Sequence, residues 1–388
     1  MRFNRFLLDE WMNEYQHSER PMEFDLSTST GPVWTLRELL ALGEPDEWNR
    51  LLDTSLDYTR LQGSAPLCDE IAKLERVDAA DLQVTTGAAE ALLLLFGDCA
   101  EPGANVVVSM PAFPSFYEMP RALGTEVRFY HQRRENRFRI VREEIEALVD
   151  ARTKLLLVNS PHNPTGATID AQELEGLHDF AAGRGIQFVV DQVFHPVYHE
   201  RPGATSPATA STVASATRLP HATVLGDFSK ALCLGGLRIG WIVERDRSRM
   251  ERYRTARAYS TVSGAAMSEA LAVLALRNHQ AIYERVRAVT KANLAMLDRF
   301  FEAHADTLSW IRPEGGMTAF PWLNSGEDSR PFCVEAAKNG VLLDPGDCFD
   351  APAHFRLGFG AVSKRFGAAL ERLGEVIERR SVRRAVAD

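Results

Sequence analysis

The sequence predicts an α/β protein with a large domain around a mostly parallel central sheet and a smaller α+β domain. Between about residues 64 and 243, short apolar runs alternate with helical patterns, as expected for buried strands that helices cover on both faces. After about Ser268, long amphipathic helical segments and a Gly315-Gly316 turn replace this alternation. We expect residues 46–280 to form the large domain, and residues 1–45 and 281–388 to form the small one.

Short apolar runs bounded by turn residues are the predicted strands: residues 82–86, 105–109, 125–130, 154–158, 187–191, 222–226 and 239–243. The predicted helices are residues 64–76, 91–96, 142–149, 173–183, 268–301 and 363–379. In the first helix, Leu67, Ile71 and Leu74 recur at helical spacing. Residues 203–216 are rich in Ala, Ser and Thr and predict a surface loop or a short helix.

The composition limits the classes of function that the chain can have. Its 388 residues are 45% hydrophobic and 25% charged, which is typical of a globular protein. The formal net charge of −9 argues against a nucleic acid or an anionic membrane as partner. The longest apolar runs, such as residues 91–96, are much shorter than a membrane span, and the N-terminus has no signal-peptide pattern. We therefore expect a cytoplasmic protein.

The cysteines predict neither a disulfide framework nor a metal site. Their number is odd and no two have a C-x-x-C spacing, which favours reduced thiols. They are Cys68, Cys99, Cys233, Cys333 and Cys348.

Polar or small residues follow four of the predicted strands. Gly87, Asn163, Asp191 and Lys230 each come shortly after a strand ends. Because ligands bind at the carboxyl ends of the strands in such sheets, we expect these residues to meet at one edge.

An ordered set of motifs runs through the large domain. Asn163-Pro164-Thr165-Gly166 is followed 28 residues later by Asp191, and Arg238 stands eight residues after Lys230. Arg356 follows in His354-Phe355-Arg356-Leu357-Gly358. From Tyr58 to Arg356, the order and spacing of these motifs resemble those of fold-type I enzymes of the class I/II aminotransferase family. The resemblance implies the fold-type I transferase fold, pyridoxal 5′-phosphate (PLP) as cofactor, amino-acid and keto-acid substrates, and a homodimer with shared active sites.

Two residues carry the chemistry that this resemblance implies. Lys230 resembles the lysine that forms the Schiff base with the cofactor and later moves the α-proton of the substrate. Asp191 resembles the aspartate that keeps the pyridine nitrogen protonated and so stabilises the quinonoid carbanion. Without the resemblance, Lys230 reads as a solvated surface lysine and Asp191 as an aspartate that caps a turn.

Several residues resemble those that hold the cofactor phosphate. Gly87, Ala88 and Ala89 stand where a strand meets a helix, so backbone N–H groups can approach a phosphate. Arg238 is expected to reach the same phosphate, and Ser229 belongs to the same group.

Other residues resemble those around the cofactor ring. Asn163 resembles the asparagine that donates to the ring oxygen, and Phe113 the aromatic residue that stacks on the ring. Tyr58 resembles the tyrosine that reaches the phosphate of the neighbouring subunit. The alternatives are that Asn163 belongs to a plain turn, that Phe113 is a core phenylalanine, and that Tyr58 is an aromatic residue that flanks a helix.

The substrate-binding residues follow from the resemblance as well. Arg356 resembles the arginine that grips the substrate carboxylate in a bidentate pair, with Asn163 beside it. Gly31, in the loop of residues 27–32, resembles the N-terminal loop that covers the substrate.

Two positions depart from the family pattern. Phe194 stands where a tyrosine is usual, so we expect the lysine–cofactor linkage to keep its proton to higher pH. The alternative is that Phe194 only packs, and that Tyr198 or a water serves instead. Asp227 stands where a serine that contacts the phosphate is usual, and a carboxylate there would repel the phosphate. We expect Asp227 to turn away or to pair with a nearby cation.

Transamination of an α-amino acid is the predicted reaction. The alternative keeps the first steps and ends in β- or γ-elimination, replacement or ring closure. The run Leu343-Asp344-Pro345-Gly346-Asp347-Cys348-Phe349 is similar to enzymes of the capreomycidine synthase type, which cyclise an arginine-derived amino acid. A non-catalytic sensor of this fold would normally carry a DNA-binding domain, for which the chain has no spare length.

Overall fold

A computed structural model describes residues 2–16, 22–200, 215–360 and 363–387. Within these ranges the helices are α1 (Leu7–Gln16), α2 (Leu36–Leu40), α3 (Pro45–Leu52), α4 (Ala65–Glu75), α5 (Gly87–Asp98), α6 (Ser115–Ala122), α7 (Arg142–Leu148), α8 (Ala171–Ala182), α9 (Arg247–Ala258), α10 (Ala266–Arg277), α11 (His279–Ala303), α12 (Arg330–Lys338) and α13 (Ser363–Ala387). The strands are β1 (Phe24–Asp25), β2 (Leu82–Thr85), β3 (Asn105–Met110), β4 (Glu126–His131), β5 (Thr153–Asn159), β6 (Gln187–Asp191), β7 (Ala222–Asp227), β8 (Gly240–Val243), β9 (Leu308–Ser309), β10 (Thr318–Ala319), β11 (Trp322–Leu323), β12 (Val341–Leu342), β13 (Asp344–Pro345) and β14 (Phe355–Gly358).

A seven-stranded sheet in the order β2-β8-β7-β6-β5-β3-β4 organises the large domain. The strands from β7 to β4 in this order are all parallel. The residues of β3, β5, β6 and β7 are largely buried because apolar side chains project from both faces, where helices cover them, whereas the edge strand β4 is more exposed. All seven predicted strands are present, with their ends within one residue of the prediction. The mostly parallel sheet is therefore confirmed.

Strand β8 is antiparallel to both of its neighbours, β2 and β7. The connection from β7 to β8 contains no crossover helix, only a 3₁₀ turn at Gly235–Leu237. A parallel pair needs a longer crossover, usually a helix, whereas an antiparallel pair can be joined by such a loop. This connection carries Lys230, so the geometry of β7 and β8 fixes the place of that side chain.

The predicted helices are present as α4, α5, α7, α8, the pair α10 and α11, and α13. Helix α5 is longer than predicted, because it begins at Gly87 directly after β2. Gly87 has φ +74°, a backbone conformation that favours glycine, and this allows the strand to turn directly into the helix. Most of residues 203–216, the predicted surface segment, lie outside the described residues.

Three apolar clusters form the core. Leu156 and Val158 of β5 belong to one cluster and Leu155 and Leu157 to another, because alternate residues of a strand face opposite sides of the sheet. The third cluster combines residues near the N-terminus with residues from Leu294 onward, and it also includes Phe138 and Ala167 of the predicted large domain. Helix α11 contributes to the first and third clusters, and the domain limits of 46–280 stay a prediction.

The five cysteines are free and buried. No helix in the described parts of the chain is long and apolar enough to cross a membrane.

Candidate active site

A cavity of about 340 Å³ lies at the carboxyl ends of the parallel strands. Most of the predicted site residues line it, although they come from distant parts of the sequence. The predicted residues in its wall are Ala88, Ala89, Phe113, Asn163, Asp191, Ser229, Lys230, Arg238 and Arg356.

Lys230 follows β7 and directs its amine into this cavity. Its Nζ atom donates a hydrogen bond of 2.8 Å to Ser29 Oγ. Burial lowers the pKa of Lys230 to about 8, while Asp227 opposes this shift and Arg356 adds to it. A larger fraction of the amine is therefore neutral near pH 7 than for a solvated lysine, which favours nucleophilic attack on a carbonyl group.

Asp191 ends β6 and is buried at the floor of the cavity. Its Oδ1 atom accepts the N–H of Val193 at 3.1 Å. Burial raises the pKa of Asp191 to about 7, with a further increase from Asp227. A buried carboxylate of this kind binds a cationic partner strongly, as the pairing with a protonated ring nitrogen requires.

Arg356 lies on β14 at the other end of the cavity, opposite Asp344 of β13. The Nε and Nη2 atoms of Arg356 lie 2.9 and 2.6 Å from Asp344 Oδ2. Nη2 also donates to Ser27 O at 2.7 Å, and Nη1 donates to Asn163 Oδ1 at 3.2 Å. The guanidinium is thus held in one orientation beside Asn163, as recognition of a carboxylate requires.

Asp344 was not among the predicted site residues. It is fully buried, and it follows the apolar run Val341-Leu342-Leu343. A charged residue directly after such a run needs a buried partner. This signal could have linked Asp344 to Arg356, which lies twelve residues later.

The helix end predicted to bind phosphate has the expected parts. Gly87 and Ala88 begin α5, and a Cβ atom at Gly87 would lie only 2.6 Å from Nη2 of Arg238. The absence of a side chain at Gly87 therefore lets the guanidinium approach the first turn of the helix. Gly87 is part of this helix end, although it does not line the cavity.

We expected Asp227 to turn away from this end or to pair with a nearby cation; it does not turn away, and the pairing with a cation stays a prediction. Its Oδ2 atom accepts the N–H of Ala88 at 2.8 Å, and Oδ1 accepts the N–H of Ser229. The unpaired N–H groups at the beginning of a helix attract a carboxylate, which explains the inward orientation.

An aromatic wall and the N-terminal helix close the cavity. Phe113 lies edge-on to Phe116, with ring centroids 6.0 Å apart, and edge-on to Phe6 at 5.9 Å. Trp11 anchors α1 by donating from Nε1 to Leu343 O at 2.8 Å. This position over the cavity brings Asp9 of α1 into its wall, a contact that the sequence did not reveal.

Phe194 is buried, with its ring centre 5.9 Å from Lys230 Nζ. Tyr198 does not replace the missing tyrosine, because its hydroxyl contacts Nδ1 of His195 at 2.8 Å. The hydroxyl beside Lys230 belongs instead to Ser29.

Besides Gly87, two other predicted residues lie outside the cavity. Gly31 packs where a Cβ would lie 2.5 Å from Cys233 Sγ and 3.0 Å from Met317 Sδ, and it is the neighbouring residues 28–30 that face the cavity. Tyr58 is 82% exposed and lines a separate surface cavity of about 480 Å³. Within one protomer, neither residue lines the cavity that contains Lys230.

Comparisons with known proteins agree with this geometry. The profile of the class I and II aminotransferases matches residues 44–373. The chain is 29% identical to capreomycidine synthase of Streptomyces vinaceus over 95% of this chain and 92% of the relative. It is 27% identical to arginine–pyruvate transaminase of Pseudomonas aeruginosa over 82% and 84% of the two chains. The crystal structure of a PLP-dependent cyclase, OrfR, superposes with a TM-score of 0.87 at 27% identity, covering 98% of each chain.

Proposed function

Since the chain belongs to the class I and II aminotransferase family, we propose that it is an aminotransferase that moves the amino group of an α-amino acid to a keto acid. The observation that carries the proposal is that Lys230 and Arg356 line one cavity. The first provides an amine for the cofactor, and the second provides a cation for the substrate carboxylate.

The cofactor is PLP, as in the family and in the solved relatives, and the site has the chemistry to hold it. When bound, PLP supplies an aldehyde that captures amines and a ring that withdraws electrons from the α-carbon. Lys230 and Asp191 would hold the aldehyde carbon and the ring nitrogen. Arg238 and the N-terminus of α5 would hold the phosphate.

Different residues of the chain then bind the substrate, transfer the proton and exclude water. Arg356 and Asn163 bind the substrate carboxylate and so orient the α-carbon toward Lys230. Because its pKa is lowered to about 8, Lys230 Nζ can accept the proton from the α-carbon of the substrate. It can then donate this proton to the carbon that the aldehyde supplied. Phe6 and Phe113 keep water from this space.

We further propose that the amino-group donor carries a cationic side chain. Asp9 is an exposed carboxylate in the cavity wall, where it also accepts a 2.9 Å hydrogen bond from Asn13 Nδ2. Among the lining residues, the other carboxylates, Asp191 and Asp227, lie at the cofactor end. The Pseudomonas relative is an arginine–pyruvate transaminase, which supports this preference.

A homodimer with shared sites is part of the proposal. Leu52, Leu56 and Tyr58 are 81%, 83% and 82% exposed, on one surface segment. Glu269 holds this segment through the Ser64 N–H at 2.7 Å and the Thr59 hydroxyl at 3.0 Å. A second copy would cover these apolar side chains and receive Tyr58 in its own active site. We also expect the enzyme to be cytoplasmic.

Subunit mixing tests the shared site. Tyr58→Ala and Lys230→Ala variants should each be impaired for different reasons. After the two are unfolded and refolded together, mixed dimers should regain turnover, because one site then has both Lys230 and Tyr58. No recovery, or a monomer by light scattering, would contradict the shared dimer.

A second candidate reaction is ring closure or elimination on the same cofactor. It is supported by the relatives named capreomycidine synthase and PLP-dependent cyclase. Phe194 and Asp227, which depart from the family pattern, add to this support.

A single-turnover screen decides between the two reactions. The PLP-loaded protein is mixed with single amino acids in the absence of keto acid, and products are followed by visible spectroscopy and mass spectrometry. Conversion of PLP to pyridoxamine phosphate with a matching keto acid establishes the aminotransferase. Retained PLP with a cyclised product, ammonia or another leaving group establishes the alternative.

A further inference from the structure

Asp227 places a carboxylate at the helix end where the cofactor phosphate is expected. It is buried at the end of β7. Its two oxygens accept the N–H groups of Ala88 and Ser229. These N–H groups belong to the first turn of α5 and to the turn that carries Lys230. One negatively charged group is therefore already bound there in the protein itself.

Arg238 approaches the same point from another side. A Cβ atom at Gly87 would lie 2.6 Å from Arg238 Nη2 and 3.5 Å from Asp227 Oδ2. The guanidinium and the carboxylate thus border the same small space at the helix end. A helix N-terminus and an arginine are what a phosphate needs, but here a carboxylate shares them.

This arrangement conflicts with a doubly charged phosphate. A phosphate monoester carries a charge of about −1.5 to −2 at pH 7. An ionised carboxylate and a phosphate dianion both act only as hydrogen-bond acceptors, so no hydrogen bond can form between them. A serine in this place would donate one.

The groups around Asp227 favour the position that its carboxylate already has. On the cofactor side it meets Lys230, Arg238 and Asp191. On the other side it borders a second cavity of about 720 Å³, whose other ionisable lining residues are Glu70, Lys73, Glu75, Arg76, His195, Arg277, His279, Tyr283 and Arg287. Movement into that cavity would break the hydrogen bonds of Asp227 to both N–H groups and would take the carboxylate away from Lys230, whose pKa it raises.

We propose that Asp227 stays in place when the cofactor binds and shares one proton with the phosphate, which is then held as the singly charged ester. The proton comes from solvent and bridges a carboxylate oxygen and a phosphate oxygen, while no bond to phosphorus changes. The proposal rests on the phosphate position proposed above. Because the second pKa of a free phosphate monoester is about 6, binding above that pH takes up a proton and weakens as the pH rises.

Phosphorus NMR of the PLP-loaded protein tests this directly, since the chemical shift reports the charge of the phosphate. In the wild-type protein, the bound signal should remain at the singly charged position from pH 6 to above pH 8. Asp227→Ser should move it to the doubly charged position over the same range. A wild-type signal at the doubly charged position overturns the proposal, and this result does not depend on the folding of any variant.

Binding of pyridoxamine phosphate to the apoenzyme gives a second readout, because this ligand forms no linkage to Lys230. Between pH 7 and 8.5 the wild-type Kd should rise about tenfold per pH unit, the slope for one proton taken up. Asp227→Ser should lack this contribution and keep only the slope that the titration of Lys230 near pH 8 causes, and Asp227→Asn, which keeps the shape, should match it. Equal slopes in wild type and both variants contradict the shared proton.

If the assignment of PLP as cofactor were wrong, the two experiments would give a different result. A protein that does not bind PLP would show no bound phosphorus signal and no visible absorption band in any variant. Bound PLP with a doubly charged phosphate would remove only the role of Asp227.

Discussion

A buried carboxylate belongs to each end of the cavity, Asp227 in its wall and Asp344 in contact with Arg356, but the two carboxylates face opposite partners. At the substrate end, Asp344 contacts Arg356 at 2.6 Å and fixes its orientation. At the phosphate end, Asp227 accepts backbone N–H groups that a phosphate would otherwise use. A carboxylate thus orients a binding cation at one end and competes with a bound anion at the other.

Lys230 lies between these ends and responds to both. Burial is the main cause of its lowered pKa of about 8, and the nearest charges act in opposite directions. Asp227 raises the pKa of Lys230 and Arg356 lowers it. The difference between the two ends therefore affects the group that performs the chemistry.

The largest contrast is expected in stability. Asp344→Asn leaves the buried guanidinium of Arg356 without its counter-charge, which costs about 3–5 kcal/mol in the free energy of unfolding. Asp227→Asn should cost less, about 1–3 kcal/mol, because the asparagine keeps one oxygen to accept a backbone N–H but leaves the second N–H without an acceptor. Urea unfolding of the two apoenzyme variants measures both values. Similar losses at the two sites would show that the ends are held in the same way.

Substrate recognition should depend on the fork of Arg356 and not on its charge alone. Arg356→Lys keeps the charge but loses the planar group that contacts Asp344, Ser27 and Asn163. We expect kcat/KM for the amino acid to fall on the order of a hundredfold, with PLP affinity unchanged. Steady-state kinetics and a PLP titration measure the two quantities. A matching loss of PLP affinity would mean that the substitution disturbs both ends.

The sequence predicted some residues of the site better than others. Asp191 and Lys230 could be found because each directly follows a buried apolar run, and the carboxyl ends of parallel strands share an edge. The antiparallel direction of β8 could not be found, since it depends on pairing and not on local pattern. The inward orientation of Asp227 was missed because it depends on the N–H groups of Ala88, which lie far away in sequence.

Contacts between residues that lie far apart in the sequence could not be predicted from local patterns either. Ser29 lies 201 residues from Lys230, yet its hydroxyl accepts the hydrogen bond of the amine. Asp9 reaches the cavity only because α1 packs over it. Such contacts depend on how the N-terminal segment docks, and no local period or motif records that.

A smaller effect is expected at the cavity mouth, which belongs to neither end. Asp9→Asn removes the exposed charge proposed to meet a cationic side chain. The kcat/KM for arginine should fall about fivefold, the usual worth of an exposed ion pair. Citrulline has a similar shape without the charge, so its kcat/KM should not change. Equal effects on arginine and citrulline would rule out charge recognition by Asp9.

The smallest effect is a shift in a pH profile, and it compares the two ends directly. Condensation of the apoenzyme with pyridoxal, which lacks the phosphate, requires neutral Lys230, so its rate should rise with pH through about 8. Asp227→Asn removes a charge that favours the protonated amine, and the midpoint should move to lower pH. Arg356→Gln removes a charge that favours the neutral amine, and the midpoint should move to higher pH. Stopped-flow absorbance at a series of pH values measures each midpoint, and an unchanged midpoint in both variants would mean that burial alone sets the pKa of Lys230.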